Sequence, residues 1–175
     1  MGIIFSMLSL SDSRTIYLIA WILCSLALMI SLFFMQDYLN LEPCPLCNIS
    51  RFIVAALALL FLLIVLHNPS VLGYRLYAGL SVLLIAAGVA VSARHIWLQS
   101  LPPELVPGCT PDIAYLFDRF PLSEALNTVF NSTGECADVS WTFLGLTIPQ
   151  QTLLFFIVLL LLVIVAFVES YRRVQ

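Results

Sequence analysis

A chain of 175 residues has the length of one domain, yet 62% of its residues are hydrophobic, only 10% are charged, and its mean hydropathy is +1.06. That balance excludes an ordinary soluble globule and describes an integral membrane protein. The net charge of −3, with no lysine and no basic stripe, excludes nucleic acid as a partner.

The first apolar run, about 16–36, is long enough to cross about 30 Å of hydrocarbon at about 1.5 Å per residue. It ends in bulky Phe33, Phe34 and Met35 rather than small residues suited to cleavage, so it is expected to remain as a helix and not leave as a signal peptide. Cys24, in its middle, reads as a small buried hydrophobe. A short polar loop at about 37–48 follows, carrying Cys44-Pro45-Leu46-Cys47. Pro45 fits the first position of the next helix, because its missing N–H would have had no partner there.

The second apolar run, about 49–66, leads through Asn68 and Pro69 into the third, about 72–92. So short a connection makes these two helices antiparallel neighbours. A long loop at about 93–150 is too extended to be a passive connector. Within it, Leu122, Ala125, Leu126, Val129 and Phe130 fall at i, i+3, i+4, i+7 and i+8, which predicts a short amphipathic helix lying on the membrane surface or against the bundle. The fourth apolar run is about 152–168. The sequence therefore predicts an all-α, four-transmembrane-helix bundle, one membrane domain over 1–175, with an amphipathic surface helix in the second external loop.

With both termini and the turn near His67–Arg75 in the cytoplasm, that side holds Arg14, Arg75, Arg172 and Arg173 against Arg51, Arg94 and Arg119 on the other. Cys44, Cys47, Cys109 and Cys136 then all face one compartment. Four potential disulfide partners suit an oxidising one.

A two-residue C-x-x-C can close a tight, exchangeable disulfide. Cys47 falls in the first turn of the second helix, where unpaired N–H groups and the positive end of the helix dipole favour a thiolate. Arg51, at i+4, shares its face and can stabilise that thiolate or bind an acceptor's oxygen; a cation resting at the interface is the plainer reading. Zinc is not expected, because Cys109 and Cys136 are separated by 26 residues and His67 lies across the membrane. His95 by itself reads as an interfacial histidine ending the third helix, with Gln99 one turn beyond, and Trp97 as an interface anchor.

Cys44-Pro45-Leu46-Cys47 with Arg51, the segment His95-Ile96-Trp97-Leu98-Gln99, and Gly134-Glu135-Cys136-Ala137 followed by Trp141 and Phe143-Leu144-Gly145-Leu146 together resemble the disulfide bond formation protein B (DsbB) family. The resemblance runs over most of the chain, including the order of helices and cysteines and Pro149-Gln150 opening the fourth helix. It implies a bacterial inner-membrane protein-disulfide:quinone oxidoreductase that takes electrons from a periplasmic DsbA-like dithiol protein and passes them to ubiquinone or menaquinone. It further implies that Cys109 forms the mixed disulfide with DsbA, that Cys136 is its loop partner and exchanges with Cys44, and that Cys47 is left as the thiolate beside the quinone. Arg51, His95 and Gln99 would then line the quinone pocket, and no metal is implied.

An electron sink of that kind also follows from potentials. DsbA-type dithiols sit at about −120 mV, so a thiol buffer at about −180 mV would leave the transfer uphill by roughly 2.8 kcal/mol. The same residues also suit two rival readings. A vitamin K epoxide reductase-like enzyme would carry its quinone-side C-x-x-C late in the bundle, and a non-catalytic scaffold would use its disulfides only as staples.

Overall fold

The computed structural model describes residues 13–41, 43–67, 69–106, 108, 118–121, 123–124 and 134–172. Four long helices dominate. Helix α1 covers Ser13–Met29 and widens into a π-helical stretch over Ile30–Tyr38. Helices α2, α3 and α4 cover Pro45–His67, Val71–Gln99 and Ile148–Arg172. All four are long and apolar enough to cross a membrane, and the chain is a multi-pass membrane protein.

The helices outrun the apolar stretches that announce them. Helix α2 starts at Pro45, α3 continues to Gln99 and α4 starts at Ile148, so the long loop between α3 and α4 is shorter at both ends than its 93–150 span in the sequence. Hydrophobicity stops where the hydrocarbon stops, but backbone hydrogen bonding carries on into the polar layer. At 29 residues, α3 is about 43 Å long against about 30 Å of hydrocarbon. This overhang turns His95 and Gln99 into helix residues. Of the surface helix expected at Leu122–Phe130, only Ser123 and Glu124 are described; both are helical, with the Glu124 N–H donating to the Pro121 carbonyl.

In the bundle α1 packs on α2 and α4, and α3 packs on the same two helices. The core between them holds Tyr17, Leu57, Phe61, Ile64, Ile85, Phe156, Leu159 and Val163, all essentially out of reach of solvent. Cys24 is buried there as a small apolar filler. Tyr17 joins three helices, its ring 5.7 Å from Phe61 and stacked 6.1 Å from Tyr74. Outward-facing Leu26, Phe52, Leu59, Leu63, Leu83 and Leu161 are exposed on the bundle, as a lipid-facing surface requires.

Helices α3 and α4 approach closely because Gly88 has no side chain: a Cβ there would overlap the ring of buried Phe156. Gly88→Ala is expected to cost about 1–3 kcal/mol by overpacking. A lowered thermal midpoint in detergent, restored by adding Phe156→Leu, would confirm it. An unchanged midpoint would show that the ring has room to swing.

Candidate functional site

One end of the bundle gathers the π-helical stretch that ends the first span, the start of α2, the last turns of α3 and the start of α4. Between them lies a cavity of about 490 Å³ lined by Ser31, Met35, Cys44, Cys47, Arg51, Ser92, His95, Gln99 and Trp141, among others. Two local devices shape its rim. Asn40, at φ 49°, takes the left-handed conformation that an asparagine tolerates and ends the first helix. Thr142–Phe143 pairs with Leu146–Thr147 in a two-strand hairpin whose turn places Leu144 and Gly145 at positive φ. The hairpin is tied to α4 by Gln150, whose Oε1 accepts from the Thr147 N–H at 2.9 Å.

Cys44 sits one residue before α2, and Pro45 and Leu46 begin the helix that carries Cys47. The sulfurs of Cys44 and Cys47 are in hydrogen-bond contact at 3.3 Å, both as free thiols. Cys136 arrives from the other direction. The 3-10 turn Gly134–Ala137 presses it into a second apolar cluster with Leu46, Val91 and Leu98, at 1% exposure. His95 Nε2 completes the group, 3.8 Å from Cys44 Sγ, and the reactive atoms of Cys44, His95 and Cys136 all lie within 4.8 Å of one another.

This arrangement decides where negative charge rests. Hydrogen bonds from Cys136 first and Cys47 second, with His95 alongside, hold the Cys44 thiol far below the ordinary range despite its burial. Cys136 is driven far above that range, because its proton is shared with Cys44 and because it is buried. These contacts favour a thiolate at Cys44, while the helix position by itself favours one at Cys47.

Arg51 reaches across to α1. Its Nε donates to Ser31 Oγ at 2.7 Å, one Nη to Gln36 Oε1 at 2.7 Å and the other to the Ser31 carbonyl at 2.8 Å. It still lines the cavity one turn below Cys47, so its cation faces both the thiol pair and the space beside it. Gln99 also lines the cavity, whereas Trp97 is half exposed with the Arg94 guanidinium 5.6 Å over its ring, as an interface anchor should be. Cys109 lies outside the described residues. Its neighbour Gly108 accepts a backbone hydrogen bond from Gly134 at 3.2 Å, which holds that strand of chain two residues from Cys136.

Two lining residues, Ser92 and Ser31, and the Arg51 partner Gln36 were not singled out by sequence. Ser92 is buried with no hydrogen-bond partner for its hydroxyl, and it faces the cavity. Its signal was available, since Ser92, His95 and Gln99 stand at i, i+3 and i+7 on one helical face. Ser31 and Gln36 gave no such signal, because nothing in the pattern announces a π-helical stretch; such stretches do often mark functional sites.

A membrane bundle that seats free thiols, a histidine and an arginine around a cavity at its rim defines a membrane thiol oxidoreductase site. Residues 13–166 match the family described as "Disulfide bond formation protein DsbB". Similar proteins include the Disulfide bond formation protein B of Nitrosococcus oceani, 47% identical over 141 residues that make up 81% of this chain and 83% of that one. The protein of the same name from Methylococcus capsulatus is 44% identical, covering 84% of this chain and 89% of its own. That from Marinobacter nauticus is 40% identical over 91% and 94%. The chain belongs to the DsbB family of membrane disulfide bond formation proteins.

Proposed function

We propose that this protein reoxidises a DsbA-like periplasmic dithiol carrier and delivers two electrons to a bound quinone, ubiquinone or menaquinone, in the bacterial inner membrane. The observation that carries this reading is the position of Cys44, whose sulfur reaches Cys47 on one side and Cys136 on the other. Either disulfide can close there with small side-chain movements.

The exchange then runs through four sulfurs of this chain. A carrier thiolate attacks Cys109 of a Cys109–Cys136 disulfide and frees the Cys136 thiolate. Cys136 attacks Cys44 Sγ, forming Cys44–Cys136 and breaking Cys44–Cys47. Cys47 leaves as the thiolate, and the cavity is on its side. The second carrier thiol attacks the mixed disulfide and frees the Cys109 thiolate, which attacks Cys136, forming Cys109–Cys136, breaking Cys44–Cys136 and releasing Cys44; the reduced Cys44–Cys47 pair then gives up two electrons and two protons. The quinone supplies the oxidising potential that a thiol pool lacks.

The residues present fit such a ring. A cavity of about 490 Å³ lies within the range of small-molecule sites. The unpartnered Ser92 hydroxyl, His95, Gln99 and the Arg51 cation offer polar contacts to ring oxygens within an otherwise apolar wall. The arginine balance supports cytoplasmic termini and periplasmic redox loops.

Cys109→Ala separates the two halves of the scheme. The variant should lose quinone reduction driven by reduced DsbA-like protein by at least about 10³-fold, while dithiothreitol, which reaches Cys44 and Cys47 directly, still drives quinone reduction. Normal oxidation of the carrier by this variant would refute the assigned division of labour, and failure with both donors would place Cys109 in the quinone-side chemistry.

A further inference from the structure

The sulfur and nitrogen atoms of the site have the spacing of a metal-binding trio as well as of a redox relay. Around a tetrahedral zinc ion, with bonds of about 2.3 Å to sulfur and about 2.0 Å to nitrogen, neighbouring ligand atoms stand roughly 3.5–3.8 Å apart. Cys44 Sγ and His95 Nε2 are already 3.8 Å apart. The whole trio of Cys44, His95 and Cys136 lies within 4.8 Å, so its longest edge need close by no more than about 1 Å.

Burial favours the same ion. His95 and Cys136 are 6% and 1% exposed, so a cation placed among them is largely stripped of water and the site must come close to neutral. Two thiolates and an imidazole neutralise a divalent ion, whereas a monovalent copper ion would leave a net negative charge in an apolar setting. Sequence spacing missed the set because it offered His67, on the far side of the membrane, and separated Cys136 from Cys44 by two helices. The fold supplies His95 instead.

We propose that the fully reduced protein binds Zn²⁺ through Cys44, Cys136 and His95, with the cavity side open for a fourth ligand, and that oxidation destroys the site. The three ligands come from three separate segments, the approach to α2, the last turns of α3 and the Gly134–Ala137 turn, so the ion fastens the loop to the bundle. Binding moves no electrons; each thiol that ligates gives its proton to solvent. A Cys44–Cys136 disulfide consumes both sulfur ligands. The Cys44–Cys47 and Cys109–Cys136 disulfides together do the same. Zinc is thereby a brake specific to the reduced state, holding Cys44 from either partner. The brake rests on the thiol–quinone reading, but the binding site does not.

The test uses the full-length chain in detergent, reduced anaerobically, freed of reductant and titrated with Co²⁺ and then Zn²⁺. One equivalent of cobalt should bring thiolate-to-cobalt charge-transfer absorption and the visible bands of a tetrahedral ion, both erased by zinc. Pre-oxidised protein should show neither. Cys136→Ser and His95→Ala should each weaken binding by at least about tenfold, and Cys24→Ser should leave it unchanged. In the unaltered chain, where no variant can misfold, zinc should slow alkylation of both Cys44 and Cys136. Absent cobalt bands, binding that survives oxidation, or alkylation rates indifferent to zinc would each overturn the site. Reduced protein that ignores both metals yet still reduces quinone would sink the zinc site alone. Protein that binds them but never reduces quinone would sink the relay and leave the site standing.

Discussion

Cys44→Ala should abolish carrier-driven quinone reduction, by at least about 10³-fold, and should do so more completely in chemical terms than Cys47→Ala. Among the described residues Cys44 is the sulfur that contacts both Cys47 and Cys136, so its loss removes both of the relay's disulfides that pass through it, Cys44–Cys47 and Cys44–Cys136. Cys47→Ala removes one. It leaves Cys44 and Cys136 side by side, and the chain is expected to accumulate that inter-loop disulfide, visible by mass spectrometry of alkylated, unreduced protein. The two inactive variants thus differ in a covalent product. Turnover retained by Cys44→Ala, or an identical disulfide pattern in both variants, would show that Cys44 is not the junction. The same substitution removes the hydrogen-bond acceptor that pushes the Cys136 thiol up. Cys136 should therefore become more reactive toward alkylating agents at neutral pH, with burial alone left to oppose its ionisation.

The parts of this molecule that can be read in the sequence are those governed by local composition. Four apolar runs announce four spans because a bilayer of fixed thickness demands them, and the Pro45 start of α2 follows from proline's own chemistry. Helix ends are less legible. Nothing in hydropathy says that α3 continues to Gln99, yet that continuation aims His95 and Gln99 at the cavity. The approach of Cys136 to Cys44 is a tertiary event, set by Leu46, Val91 and Leu98 packing around a 3-10 turn, and no spacing rule reports it. Helix-terminus electrostatics favoured Cys47 as the charged sulfur. The fold adds two hydrogen-bonding thiols around Cys44, a stabilisation of that thiolate which comes from tertiary contacts and which helix position does not report.

Arg51→Met should weaken quinone use by about 10²-fold while leaving thiol exchange among the cysteines nearly intact. The i, i+4 rule puts Arg51 on the face of Cys47, but the structure shows where its guanidinium is anchored: on Ser31 and Gln36 of the π-helical stretch, through three hydrogen bonds of 2.7–2.8 Å. Those bonds hold both the cation and the cavity wall formed by Ile30, Ser31 and Met35. A hydrogen bond to a charged group contributes about 1.5–3 kcal/mol, and a loss near 3 kcal/mol corresponds to about 10² in an equilibrium or a rate. Lysine cannot restore this arrangement, since a single ammonium lacks the planar fork that serves Ser31 and Gln36 together, so Arg51→Lys should recover only a small part of the loss. The discriminating measurement is the split between KM for quinone and the rate of disulfide exchange with reduced carrier in quinone-free protein. A raised KM with unchanged exchange assigns Arg51 to the cavity and its wall. Exchange slowed as much as quinone reduction would assign it to the thiols, and unchanged kinetics in both would reduce it to a cation resting at the membrane surface.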